Sequence, residues 1–283
     1  MFPIVLFNGC YKVNDLEEIN LSIEDRSAQF GDGVYEVIRC YASKTGMRFH
    51  LLHEHIDRLF DSMAFINIKP SFTKEELIVK LLKLVTVNGI TEDSYIYIQI
   101  SRGTAPRNHI YNDDIKPNYY AYVVPKKRPT ELFKTGVKAL IQEDCRWLKC
   151  NIKSLNLLPN VLAKQEAHNN GCFEAILHRD GIVTEGSASN VFIVKDGTLQ
   201  THPANNYILN GIVRQQVIKL AETLNIPTEL SPFTLDQLLE ADEVFITSTT
   251  AELIPVSNIF GKVEFSSKRP ILSKLQEVFE QNI

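Results

Sequence analysis

The chain is poor in the features that mark several protein classes. It has one tryptophan, Trp147, and five cysteines, at positions 10, 40, 145, 150 and 172, with no Cys-x-x-Cys pair. An odd, dispersed set of that kind predicts free thiols in a reducing, cytoplasmic setting and not a disulfide framework. No apolar run approaches the roughly 20 residues that a membrane helix needs. Residues 1–7 are apolar, but the stretch is short, lacks a basic start and runs into Asn8-Gly9. It reads as a first strand and a turn, not as a signal peptide. An excess of one charge is also missing: a net charge of -4 over 283 residues gives no reason to expect a nucleic-acid partner. There is no internal repeat and no low-complexity segment. What remains is 44% hydrophobic and 23% charged, an ordinary globular composition, long enough for two modest domains each with a core.

Residues 4–13 pattern as a hairpin with Asn8-Gly9 at its turn. Residues 25–33 read as a polar loop in which Gly31 and Gly33 mark a tight backbone. Residues 34–41 alternate as a strand, with Tyr35, Val37 and Arg39 on one face and Glu36, Ile38 and Cys40 on the other. Helical spacing predicts helices over 51–65 and 72–88, the second ended by Asn88-Gly89. Strands at 95–100 and 119–124 flank a loop over 101–109. Pro125-Lys126-Lys127-Arg128-Pro129 predicts a linker at 125–129, stiffened by its prolines and solvated by its charges. It separates a small domain, 1–124, from a larger one, 130–283. The second half offers a strand at 137–141, a helix over 159–170 and strands at 173–178 and 188–194. A hairpin turn at Asp196-Gly197, a striped helix over 212–224, a strand at 243–246 and a closing helix over 271–279 follow. The mixture predicts an α/β chain of the α+β type.

Several polar stretches carry chemistry. Lys153 sits in Lys149-Cys150-Asn151-Ile152-Lys153-Ser154-Leu155-Asn156, ahead of a helix. A lysine amine among apolar neighbours favours its neutral, nucleophilic form, which attacks carbonyls and forms Schiff bases. Leu209-Asn210-Gly211-Ile212-Val213 places glycine at a helix start, where free amides and the helix dipole suit a phosphate. Ser248-Thr249-Thr250 follows a strand with hydroxyl donors. Thr184-Glu185-Gly186-Ser187 sets a carboxylate among small residues between strands. Alone, each has an ordinary structural alternative: a solvated lysine, a helix-start glycine, a turn, a loop acid. His50, His53 and His55 do not make a metal site by spacing, since His53 and His55 point different ways on a helix. Gly31-Asp32-Gly33 precedes a strand, not a helix, and is no dinucleotide fingerprint.

Taken together these stretches resemble the class-IV, or fold-type IV, pyridoxal-phosphate aminotransferases. The matching pieces are Phe30-Gly31-Asp32-Gly33-Val34-Tyr35-Glu36-Val37, Glu54-His55-Ile56-Asp57-Arg58-Leu59, Ile152-Lys153-Ser154-Leu155-Asn156, Thr184-Glu185-Gly186-Ser187-Ala188-Ser189-Asn190, Ile208-Leu209-Asn210-Gly211-Ile212 and Thr247-Ser248-Thr249-Thr250-Ala251-Glu252. They occur in the family's order over nearly the whole chain. The resemblance implies two α/β domains with pyridoxal 5'-phosphate at their interface. It implies that Lys153 carries the cofactor as a Schiff base and shuttles protons, and that Glu185 bonds the pyridinium nitrogen. It implies a phosphate held by Arg58, the backbone of Ile212 and Val213, Ser248 and Thr249, with Leu209 against the ring. Trp147 is read either as a wall of the site or as core. The resemblance calls for no metal and implies a homodimer in which one subunit's small domain helps close the other's site.

Within the family the pattern is most similar to the D-amino-acid branch, through Tyr35 and Arg107-Asn108-His109. Tyr35, Arg107 and His109 are then the expected carboxylate clamp. The implied reaction moves an amino group from an amino acid, a D-amino acid such as D-alanine, to a 2-oxo acid. The alternatives on this scaffold are a branched-chain L-amino-acid aminotransferase and 4-amino-4-deoxychorismate lyase. The chain departs from the branch at Arg39, where lysine is usual, and at Ala188, where a serine is common. Arginine at 39 is expected to reshape the pocket, and alanine at 188 to remove a hydroxyl near the cofactor.

Overall fold

A computed structural model describes residues 3–13 and 19–283. Met1 and Phe2, the start of the apolar opening, lie outside the described residues. The chain forms two compact units, Met1–Lys127 with Ile152–Asn156, and Arg128–Asn151 with Leu157–Ile283. None of the described helices is long and apolar enough to cross a membrane.

In the first unit β1 (Ile4–Phe7) and β2 (Cys10–Val13) form the hairpin that Asn8-Gly9 predicts. Both turn residues have positive φ, 44° and 88°, as a tight hairpin turn demands. Where a loop is expected, residues 26–30 form a short helix, α1 (Arg26–Phe30). Asp25 caps it by accepting from the Ser27 amide at 2.8 Å, and Gly31 ends it at φ 65°. Five residues are too few to show helical periodicity, so the caps are the only local trace. Then follow β3 (Gly33–Ser43), β4 (Gly46–Phe49), α2 (Leu52–Phe65), α3 (Lys74–Val87), β5 (Ser94–Ser101) and β6 (Asn118–Pro125). A capping box of Thr73 and Glu76 starts α3.

The six strands form one antiparallel sheet in the order β2-β1-β6-β5-β3-β4. Alternation along β3 turns Val34, Ile38 and Cys40 toward Ile56, Leu59 and Met63 of α2 and the leucines of α3. The opposite face carries tyrosines. Tyr35 stacks on Tyr97 and Tyr97 on Tyr122, while the Tyr97 and Tyr120 hydroxyls both donate to Gln99.

Ile152–Asn156 packs with this unit although it follows strand residues of the other in sequence. Ser154 bridges Val34: the Tyr35 amide donates to the Lys153 carbonyl and the Leu155 amide to the Gly33 carbonyl, both at 3.0 Å. Only glycine fits at 33, because a Cβ would lie 2.6 Å from the Ile100 carbonyl oxygen.

The second unit runs α4 (Thr130–Thr135), β7 (Val137–Glu143), α5 (Leu158–Asn169), β8 (Glu174–Arg179), β9 (Ile182–Gly186), β10 (Asn190–Lys195), β11 (Thr198–Thr201), α6 (Ile212–Thr223), β12 (Thr228–Leu230), α7 (Leu235–Leu239), β13 (Glu243–Ser248), β14 (Glu252–Ile259), β15 (Val263–Glu264) and α8 (Pro270–Gln281). Its mixed sheet has the order β12-β11-β10-β13-β14-β7-β8-β9, with β15 on β14. Phe192, Val194 and Phe245 face α6 and α8, and Val191, Ile193, Val244 and Ile246 face Phe233 and Leu238 on the other side. Both faces of the central strands are therefore apolar, which is why β10 and β13 read as unbroken apolar runs.

Asp32 joins α1 to the end of β5. It accepts from Arg26 Nε at 2.8 Å and from Arg102 Nε and Nη2 at 2.8 and 2.9 Å. Burial opposes ionisation of Asp32, but the hydrogen bonds and charges of Arg102 and Arg26 outweigh it and hold the carboxyl below its usual range. Asp32→Asn leaves two buried guanidiniums without their counter-charge and should cost about 3–5 kcal/mol in urea unfolding at neutral pH. Because the folded carboxyl titrates lower than the unfolded one, its stabilisation is complete above about pH 4 and is lost as pH falls through the folded value. The gap between the native protein and Asp32→Asn should therefore close in acid.

Candidate active site

The first unit gathers Lys153, Tyr35, Glu36, His55 and Arg58. The bridge to β3 sets the Lys153 backbone, and its amide donates to Ser62 Oγ at 3.3 Å. Its Nζ stands 4.3 Å from the centroid of the Tyr35 ring. Glu36 points to the helix face of β3 and is fully buried. Arg58 meets it with a planar fork, Nε to Oε2 at 2.9 Å and Nη2 to Oε1 at 2.8 Å, and His55 Nδ1 lies 3.1 Å from Oε1. Burial works against the Glu36 anion, yet Arg58, His55 and Lys153 together hold its carboxyl far below the usual range. Burial also lowers His55, which favours the neutral ring. Glu36 thus fixes the direction of Arg58. Neither Glu36 nor His55 was assigned a role from the sequence, although an acid on the apolar face of β3 signals a buried cation.

Arg107 and His109 lie elsewhere on this unit. Arg107 Nη1 donates to the Gln29 carbonyl at 3.0 Å, and its guanidinium sits 4.5 Å from the Phe30 ring centroid. The His109 ring is 5.3 Å from that of Phe30. Both side chains are exposed, and their contacts are with the α1 region, not with Tyr35 or Lys153. Arg39 shares a strand face with Tyr35 but turns toward Tyr41, 5.2 Å from its ring centroid, with Asp93 at 3.9 Å.

The second unit gathers Glu185, Leu209, Ile212, Val213, Ser248 and Thr249. Glu185, expected between strands, lies inside β9, because β8 pairs with it as far as Gly186. Its Oε1 accepts from Arg146 Nη1 at 2.6 Å, its Oε2 from Asn190 Nδ2 at 2.9 Å, and both accept from the Leu209 amide at 3.1 Å. Burial pushes the Glu185 carboxyl up to about 7, against the pull of Arg146. The structure thus gives Leu209 a backbone task beside any packing of its side chain.

Gly211 caps α6 without a side-chain bond, which leaves the amides of Ile212 and Val213 at a bare helix start. A Cβ at 211 would lie 2.1 Å from Asn190 Oδ1. Ser248 ends β13 and Thr249 follows in the turn, and α6 packs on β13. Thr247 Oγ1, on the residue opposite Asn190, is buried without a partner among the described residues. Ala188 is exposed, while its neighbours Ser187 and Ser189 both donate to Glu174. Trp147 is 40% exposed and so is not a core residue.

The donor chemistry fits pyridoxal 5'-phosphate. Glu185 is a buried acceptor that would take a ring N–H. The α6 amides and the Ser248 and Thr249 hydroxyls suit a phosphate.

The family model for class IV amino-transferases matches residues 33–259. The chain belongs to the class IV aminotransferases. It is 46% identical to the D-alanine aminotransferase of Bacillus licheniformis over 280 residues, 99% of this chain and 96% of that one. Its fold is that of the branched-chain amino acid aminotransferase of Escherichia coli, with a TM-score of 0.92 at 27% identity, covering 99% of this chain and 94% of that one. The branched-chain amino acid aminotransferase of Thermobaculum terrenum, in its PLP form, matches with a TM-score of 0.85 at 27% identity, covering 99% of this chain and 93% of that one. This aminotransferase therefore has the fold-type IV architecture that its motifs implied.

Gly211→Ala should push Asn190 off Glu185 and Leu209. We expect a loss of about 1–3 kcal/mol in urea unfolding, since a methyl has no room there.

Proposed function

We propose that this aminotransferase moves an amino group from a D-amino acid, D-alanine foremost, to a 2-oxo acid. The observation that carries the substrate reading is the 46% identity to a D-alanine aminotransferase over 99% of the chain, joined to the Arg107-Asn108-His109 loop. The branched-chain enzymes share the fold at 27% identity, well below that.

Bound pyridoxal 5'-phosphate supplies the electron sink for charge that develops at the substrate Cα when its C–H bond breaks. The residues of this chain do the rest. Lys153 holds the cofactor and moves the proton with its Nζ, steadied over the Tyr35 ring. Arg58, aimed by Glu36, takes phosphate oxygens, and the Ile212 and Val213 amides with Ser248 and Thr249 take the others. Glu185 accepts from the ring nitrogen and favours its protonated form. Leu209 lies against the ring. Tyr35, Arg107 and His109 take the substrate carboxylate. Arg107 and His109 are exposed in the single chain, which fits a homodimer in which the loop of one copy serves the other. Five free cysteines fit a cytoplasmic enzyme.

The deciding experiment adds D-alanine, L-leucine and L-glutamate separately to the cofactor-loaded protein and follows its visible absorption band. Loss of the band with D-alanine, with pyruvate formed in step, is the expected result. Loss with the L-amino acids alone would sink the D-specific reading. Lys153→Ala should lose the band altogether; a protein that keeps it removes Lys153 from its role. Arg107→Ala should raise KM for D-alanine by roughly 30-fold or more, because a lost charged carboxylate contact costs about 2–5 kcal/mol. An unchanged KM would take the loop out of substrate binding.

A further inference from the structure

We propose that Arg146 is a positioning residue of this aminotransferase, bridging Asp144 and Glu185 so that Glu185 stays an anion turned to the ring nitrogen of the cofactor. The proposal rests on the reading of Glu185 given above and assigns the residue that makes it work.

Arg146 lies in the segment after β7 and is almost wholly buried. Each of its guanidinium nitrogens is used. Nε donates to Asp144 Oδ1 at 2.9 Å and Nη2 to Asp144 Oδ2 at 2.8 Å, the fork geometry of a strong pair. Nη2 also reaches the Tyr207 carbonyl at 3.2 Å, and Nη1 donates to Glu185 at 2.6 Å. Asp144 is braced in turn by Arg179 Nε at 3.2 Å and Thr184 Oγ1 at 3.0 Å. Arg146 therefore cannot swing away from Glu185 without breaking its pair with Asp144.

Charge and hydrogen bonding agree on the state of Glu185. The chain of ion pairs Glu185–Arg146–Asp144–Arg179, buried except at the partly exposed Arg179, holds two acids and two guanidiniums, so it is neutral only while Glu185 is ionised. The groups bonded to the Glu185 oxygens are all donors: Arg146 Nη1, Asn190 Nδ2 and the Leu209 amide. A protonated carboxyl would aim its own O–H at groups that accept nothing. Against this, burial raises the carboxyl and Asp144 adds to the rise, so that it stands at about 7 even with Arg146 pulling it down. The other charged or titratable groups near Glu185 are Arg214 from α6 and Cys150 from the segment after β7. Arg214 is turned to Asn210 and the His202 carbonyl. Among the described residues Arg146 is thus the one cation bonded to Glu185.

The test loads the native protein, Arg146→Gln, Arg146→Lys and Glu185→Gln with pyridoxal phosphate labelled with 15N in its ring. The 15N signal reads ring-nitrogen protonation against pH, apart from any turnover. In Arg146→Gln the nitrogen should lose its proton at a pH lower by about one unit or more. D-alanine turnover should fall about tenfold or more while KM stays near its native value. Arg146→Lys keeps the charge without the fork and should lie between the native protein and Arg146→Gln. If Arg146→Gln does not fold, Arg146→Lys carries the test through a smaller shift of the same sign. An unshifted nitrogen in a folded Arg146 variant, with a shifted one in Glu185→Gln, overturns the assignment of Arg146 alone. An unshifted nitrogen in both overturns the role of Glu185 as well.

Discussion

A carboxylate taken out of water must find its donors inside the protein, or it takes up a proton. Glu36, Asp144, Glu185 and Glu252 are all nearly inaccessible, and each is bonded by an arginine: Arg58, Arg146, Arg146 and Arg128. Three of the pairs join distant parts of the chain. Glu36 and Arg58 are 22 residues apart, Arg146 and Glu185 are 39 apart, and Arg128 and Glu252 are 124 apart. Breaking such a pair leaves a buried charge with no answer, so strand and helix must keep their places. Much of the architecture depends on this matching.

The same constraint prepares the chemistry. In the proposed roles, Glu36 holds Arg58 in line for the phosphate, and Arg146, Asn190 and Leu209 hold Glu185 in line for the ring. Lys153 is placed differently. Its backbone is bound to the edge of β3 by a short bridge, and its half-buried side chain lies over the Tyr35 ring.

Local patterns revealed part of this. The stripe of α6, the alternation of β3, the Asn8-Gly9 turn and the glycine before Ile212 were all legible, because each depends on residues within a few positions of one another. The family motifs pointed to Lys153, Arg58 and Glu185. The helix α1 was not legible, since five residues carry no period. Glu185 was misplaced between strands because Gly186 and Ser187 look like turn residues, while the pairing of β8 with β9 holds it in a strand. Arg146 left no signal at all, as nothing near it in sequence shows that its partner lies 39 residues on.

By itself the sequence determined the class of fold, the family and most of the elements, through periodicity, caps, turns and motifs read at short range. The tertiary structure decided which buried acid meets which arginine, that Ile152–Asn156 belongs with the first unit, and that Arg39 turns toward Tyr41. The reason is register. A shift of one residue in a strand sends every side chain to the opposite face, so a long-range charge pair exists only once all the intervening strands are in place.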